Sequence, residues 1–149
     1  MEPKKILQIA NKVYPNIRAH YGLGKKEYPP IEVHKNIGPG LLESVYHQCL
    51  KKELELRKIN YLSEFLIPLN YKGIELESKL RCDLFIENTL VVELKAVSEM
   101  NAIFDAQLLT YMNLLNAPIG LLINFNVRNI YYEGQKTIVN DIFSRLEDE

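Results

Sequence analysis

Arg81-Cys-Asp-Leu-Phe-Ile-Glu-Asn-Thr-Leu-Val-Val-Glu-Leu-Lys95 decides how this chain folds. Two apolar runs rich in β-branched and aromatic residues read as buried strands, and Asp83, Glu93 and Lys95 interrupt them. Burying charge is costly unless it is paired or holds a cation. On a strand, Glu93 and Lys95 stand one pleat apart on the same face. With a second carboxylate alongside, that pattern is a site for a hard cation with a lysine over it, which is the equipment of metal-assisted phosphodiester cleavage.

Asp83 and Glu93 oppose each other only if the strands are matched around position 88. That requires an odd-length loop such as Glu87-Asn88-Thr89, or a bulge near Asp83. A two-residue turn at Glu87-Asn88 would set Asp83 against Val92 and turn it to the wrong face. Asn88 tolerates the left-handed conformation that a three-residue loop wants. In that register Asp83, Glu93 and the Leu94 carbonyl supply oxygens to one divalent ion, Mg²⁺ or Mn²⁺. Lys95 is then placed to orient an activated water or to neutralise charge developing on the phosphorane. The same E-x-K pattern also fits an ordinary salt-bridged strand pair.

Outward from this stretch, Tyr61–Tyr71 reads as a strand, Lys72-Gly73 as a tight turn, and Ile74–Ile86 as its antiparallel partner. Thr89–Lys95 is apolar on both faces, as a central strand is. Met100–Asn116 is predicted helical, capped by Ser98 or Asn101. Pro118–Phe125 fits a buried strand parallel to Thr89–Lys95 after a helical crossover. Asn129–Tyr132 is expected as an edge strand and Thr137–Leu146 as a closing helix.

Before the strands, Leu41–Ile59 carries the strongest helical stripe: Leu42, Val45, Tyr46, Cys49, Leu50 and Leu54. Ile31–Lys35 reads as a short helical turn, followed by the backbone break Gly38-Pro39-Gly40. Residues 4–14 have helical spacing that Pro15 ends, and residues 22–30 read as a connector. Residues 1–30 are thus expected as an N-terminal helical arm and 31–149 as the main domain. The order of elements gives an α/β chain with a mixed sheet flanked by helices.

Two further sites come from the helices. Glu43 lies one turn into Leu41–Ile59, at the border of its stripe, and is either a third carboxylate over the sheet or a favourable acid near a helix N-terminus. Gln107 and Tyr111 share a face of Met100–Asn116. They are either an amide and a phenol facing the site or an interfacial polar pair. His34 and His47 read as structural or solvent-facing.

The 149 residues suit one domain. Apolar content of 47% and charged content of 25% are those of a soluble globular protein. No apolar run approaches the roughly 18 residues of a membrane span, and none marks a signal peptide. Cys49 and Cys82 read as reduced core residues of a cytoplasmic protein. The net charge of −1 does not suit a strongly basic duplex-binding domain. A nucleic-acid role then needs a local patch, with Lys72, Lys79, Arg81, Lys95 and Arg128 as candidates.

Gly40-Leu-Leu-Glu43-Ser-Val-Tyr46 is a full G-x-x-E-x-x-Y string, preceded by Ile31-Glu-Val-His-Lys-Asn-Ile-Gly-Pro39. With Asp83, Glu93-Leu-Lys95 and Gln107-Leu-Leu-Thr-Tyr111 following in order, the chain resembles the GxxExxY proteins. These are a prokaryotic group of small domains placed in the PD-(D/E)XK nuclease superfamily, and the resemblance covers about Ile31 to Tyr132. It implies a restriction-endonuclease-like αβββαβ core, to which residues 1–30 add an N-terminal helical extension that the resemblance does not cover. It further implies Glu43 as the helical acid, Asp83 as the first core acid, Glu93 and Lys95 as the (D/E)-x-K pair, and Gln107 as the glutamine of the following helix. Gly40 and Tyr46 are expected to serve packing and backbone roles. Cys82 stands where the superfamily name has proline. The expected activity is that of a Mg-dependent nuclease acting on nucleic acid, DNA rather than RNA, with a homodimer as the assembly. The alternative is a non-catalytic interaction or regulatory module that keeps the fold.

Overall fold

The turn at Lys72-Gly73 joins one long hairpin. β1 (Tyr61–Tyr71) and β2 (Ile74–Ile86) run antiparallel. Lys72 and Gly73 take φ of 48° and 85°, the left-handed pair whose twist matches that of the flanking strands. β3 (Leu90–Lys95) returns antiparallel to β2. β4 (Ile119–Asn124) lies parallel to β3, with Glu93 beside Leu122 and Lys95 beside Asn124. β5 (Gln135–Val139) pairs antiparallel with β4, so the sheet reads β1-β2-β3-β4-β5. The computed structural model describes residues 2–13 and 28–147; Pro15 and most of the expected connector, residues 22–27, lie outside them.

The helices are α1 (Pro3–Asn11), α2 (Pro29–Ile37), α3 (Glu43–Leu56), α4 (Ala102–Leu114), α5 (Ile130–Glu133) and α6 (Asp141–Glu147). On one face of the sheet, Tyr46, Leu50 and Leu54 of α3 pack on Leu84, Ile86, Leu90, Val92 and Leu94. Ile6 and Ala10 of α1, together with Val13, are buried in that same cluster, so the N-terminal helix is part of the core. On the other face, Leu108 and Met112 of α4 cover Phe85, Val91 and Leu122. Gly120 explains how closely α4 lies on β4: a Cβ there would fall 2.6 Å from Met112 Sδ. The α3-β1-β2-β3-α4-β4 succession is the αβββαβ core of a mixed α/β fold.

Some element boundaries differ from those expected. Pro29 and Pro30, expected at the end of the connector, instead start α2, at the positions where a missing N–H is harmless. Leu42 lies on the predicted stripe yet is the exposed residue just ahead of α3. Asn129–Tyr132 is not an edge strand. Asn129 caps a short helix by accepting the Tyr132 N–H through Oδ1. The edge strand is Gln135–Val139, which overlaps the start of the predicted closing helix. Asn140 divides the two, accepting the Phe143 N–H with its side chain so that α6 begins only at Asp141.

Candidate active site

The register that the acids require is the one observed. Leu84↔Val92, Phe85↔Val91 and Ile86↔Leu90 are matched around position 88, which leaves Glu87-Asn88-Thr89 as a three-residue loop. Glu87 and Asn88 take φ of 51° and 53°, and Thr89 N–H donates to the Ile86 carbonyl at 3.0 Å. Pairing of β2 with β3 stops at Leu84↔Val92. Beyond it the strands part, and two carboxylates replace the ladder. Glu93 Oε1 accepts the Asp83 N–H at 3.1 Å, and Asp83 Oδ2 accepts the Leu94 N–H at 2.8 Å.

The neighbouring strand yields at the same level. Pairing of β1 with β2 includes Ser63↔Leu84 and Phe65↔Cys82 but omits Glu64 and Asp83 between them, and Glu64 has φ of 54°. Both strands change face there. Leu84 packs in the cluster under α3, whereas Cys82 and Phe65 belong to the cluster under α4. This local inversion puts the Asp83 main chain within reach of Glu93 while its carboxylate reaches β3.

Glu93 is only 7% exposed. Burial, then the neighbouring Asp83, drives its pKa far above the usual carboxylate range, against the weaker pull of Lys95. Each carboxyl commits one oxygen to a main-chain amide, leaving the second outside those bonds. Two carboxyls set this close, one of them buried, are suited to a hard divalent cation, which would relieve their mutual repulsion. Among the described residues no three His, Cys, Asp or Glu side chains gather as a metal-binding group.

Lys95, next on the same face of β3, places its Nζ 4.3 Å from the centroid of the Phe104 ring. The aromatic face holds the ammonium without committing it to a carboxylate. Asn124, buried at the end of β4, fixes the chain just beyond Lys95. Its Oδ1 accepts the Val97 N–H at 3.1 Å, and its Nδ2 donates to the Val97 carbonyl at 3.0 Å. Neither Phe104 nor Asn124 was anticipated. An asparagine closing an apolar strand was a legible signal; a phenylalanine at helical spacing was not distinguishable from core.

Glu43 opens α3 at the rim of this site. Glu43 is exposed, yet desolvation by the surrounding protein and then Asp83 raise its pKa and Lys95 opposes the rise, so the carboxyl stands within the field of both. Tyr46 sets its position. The phenol donates to the Gly38 carbonyl at 2.6 Å and accepts the Leu41 N–H at 3.1 Å, while its ring stacks on Phe125 at 4.5 Å. Gly40, at φ 91°, makes the turn that the phenol clasps. The glycine and tyrosine of the G-x-x-E-x-x-Y string thus hold the loop from which Glu43 springs.

The remaining candidates divide. Tyr111 is half-buried on α4, and burial together with Glu93 and Asp83 raises its phenol pKa, so it faces the acids. Gln107 is exposed on α4 and makes no hydrogen bond to the cluster. His34 is structural, with Nε2 2.8 Å from the Val127 carbonyl. His47, one turn beyond Glu43, is buried with Nε2 2.9 Å from Ser63 Oγ, and burial lowers its pKa against the field of Asp83. Of the candidate basic patch, Arg81 is neutralised by Glu64, while Lys72 keeps its charge over the Tyr71 ring.

Comparison with known proteins bears on the fold and the family. The family model of the PD-(D/E)XK nuclease superfamily matches residues 29–137. The solved structure of SSO0001 is similar in fold at a TM-score of 0.51 and 23% identity, over 70% of this chain and 55% of that one. The chain thus spans about half the length of that protein. No curated protein gives a significant match. The chain belongs to the PD-(D/E)XK nuclease superfamily.

Proposed function

We propose that this superfamily member is a divalent-metal-dependent nuclease that hydrolyses phosphodiester bonds of nucleic acid, DNA in preference to RNA. Asp83, Glu93 and the Leu94 carbonyl would hold Mg²⁺ or Mn²⁺, with Glu43 as the third acid. The bound cation supplies Lewis acidity and makes water a stronger acid. Lys95 presents an ammonium where negative charge develops on the phosphoryl oxygens. Gln107, at the outer rim, would bind a phosphate oxygen of the substrate. Among the described residues no helix is long and apolar enough to cross a membrane, and both cysteines are free, which supports a cytoplasmic enzyme. Two copies acting together would bring two such centres to one nucleic acid.

The observation that carries this reading is the mutual clasp of Asp83 and Glu93 in the strand fork, where burial raises Glu93 beside an ammonium held over the Phe104 ring. A non-catalytic module with the same fold would suit the net charge of −1 but has no use for a buried acid pair. Calorimetric titration with Mg²⁺ and Mn²⁺ separates the two. Wild type is expected to bind and Asp83→Ala and Glu93→Ala to lose binding; absence of heat in all three removes the enzyme. Given binding, Lys95→Ala is expected to slow cleavage of a mixed nucleic-acid panel by about 10²–10³-fold.

A further inference from the structure

The strand inversion that brings Asp83 to Glu93 is anchored on both faces of the sheet, and one of the anchors is a buried histidine. On a regular strand Ser63 and Phe65 would share a face. Here they do not. Ser63 is matched with Leu84, which packs under α3, and its Oγ lies 2.9 Å from Nε2 of His47 on that helix. Phe65 is matched with Cys82 in the cluster under α4, and its ring meets Phe85 of that cluster with centroids 6.3 Å apart. Between the two anchors Glu64 stands at φ 54°. A non-glycine residue keeps that left-handed conformation only where its surroundings impose it.

The two anchors differ in kind. Ring contact at Phe65 is non-directional and tolerates sliding. The His47–Ser63 bond is directional, and His47 is buried, so losing it would leave a buried ring nitrogen without its partner. His47 lies one turn beyond Glu43 on the same face of α3. Burial lowers the imidazole pKa and Asp83 opposes the fall, so the ring and that carboxylate stand in one neighbourhood. Glu64 and Asp83 lie across from each other between the matched pairs Ser63↔Leu84 and Phe65↔Cys82. A hold on Ser63 is therefore a hold on the residue step at which Asp83 turns.

We propose that His47, acting through Ser63, is a positioning residue of the acid fork. It fixes the inversion from which Asp83 donates its N–H to Glu93 Oε1 and accepts the Leu94 N–H through Oδ2. Its consequence for cation binding rests on the metal site proposed above; its consequence for those two main-chain amides does not.

Amide hydrogen exchange on metal-free protein, followed by Mn²⁺ calorimetry, tests this in wild type, His47→Phe, His47→Gln and Ser63→Ala. His47→Phe keeps an aromatic ring without the hydrogen bond, and His47→Gln keeps a side-chain nitrogen that reaches toward Ser63 Oγ. The Asp83 and Leu94 amides are expected to exchange about tenfold faster in His47→Phe and in Ser63→Ala, the factor of one hydrogen bond. The Thr89 amide, bonded to the Ile86 carbonyl at the other end of the β2–β3 pairing, is expected to keep its protection. Mn²⁺ is expected to bind about tenfold more weakly in the same two variants, and His47→Gln to keep both properties near wild type. Combining His47→Phe with Ser63→Ala is expected to add nothing to either alone. Unaltered protection of Leu94 in both single variants overturns the proposal, as does a His47→Gln protein as impaired as His47→Phe. If His47→Phe fails to fold, Ser63→Ala with Thr89 still protected carries the comparison. Wild type that binds no Mn²⁺ removes the metal site, and the exchange of Leu94 alone then decides the role of His47.

Discussion

The two halves of β2 invert the usual order of inside and outside. From Ile74 to Lys79 every residue is exposed, Ile74 by 63%, and the strand has only β1 beside it. From Cys82 to Ile86 the same strand is central, and it is there that an acid, Asp83, is carried inward to meet a buried Glu93. Apolar side chains stand in water on the projecting arm while carboxylates are enclosed in the fork. Hydrophobic pattern alone does not explain that. What decides burial is whether a helix lies over the strand: α3 and α4 cover the second half and neither reaches the first. The exposed apolar residues of the arm cost little, whereas the enclosed acids carry a penalty that only a function or a cation repays.

The largest contrast is expected from truncating a leucine in each half. Leu84 is fully buried between α3 and the sheet, and Leu84→Ala is expected to cost about 3 kcal/mol. Leu76, out on the arm, is expected to change stability by no more than about 0.5 kcal/mol on the same substitution. Urea denaturation of both variants at fixed pH measures the difference. Similar losses would mean that the arm is covered in solution.

Next in size is the acid pair. The folded pKa of Glu93 lies above its unfolded value of 4.5. A carboxyl raised in this way favours the fold fully at pH below its unfolded value, and that advantage is lost as pH climbs through the raised one. In metal-free buffer the stability of wild type is therefore expected to fall between about pH 5 and pH 9. Glu93→Gln keeps the shape without the ionisation. It is expected to flatten the profile and to be more stable than wild type by about 1–3 kcal/mol at pH 8. A profile unchanged by the substitution would show that Glu93 is ionised and solvated, not enclosed.

How much of this was legible follows from the same contrast. The hairpin boundaries at Tyr61, Tyr71, Ile74 and Ile86 were readable, because Lys72-Gly73 is an unmistakable turn and Ile74, Leu76 and Leu80 alternate with Glu75, Glu77 and Lys79 after it. The Asp83–Glu93 register followed from counting residues around Asn88. The conformational inversion at Glu64 and Asp83 was not readable, since nothing in Ser63-Glu64-Phe65 distinguishes a left-handed glutamate from a regular one. Nor was the placement of Gln107: a wheel of α4 shows apolar residues on every side, so which side meets the sheet is settled only by Gly120 opening room for Met112. The misread end of the chain has a simpler cause. Ile130-Tyr131-Tyr132 has strand propensity, but the side-chain cap of Asn129 outweighs it over a single turn.

The smallest effect is expected at the tip of the arm, and it is the most discriminating for what the arm does. Ile74→Thr combined with Leu76→Thr removes two exposed apolar side chains and leaves a β-branched residue at both positions, so strand propensity is retained. The combined change in unfolding free energy is expected to stay within about 0.5 kcal/mol, with Mn²⁺ affinity unaltered because Asp83 and Glu93 belong to the other half of the strand. A loss of about 2 kcal/mol or more that grows with protein concentration would reveal a second copy packed on the arm. The difference between the two halves of β2 would then be one of assembly, not of exposure.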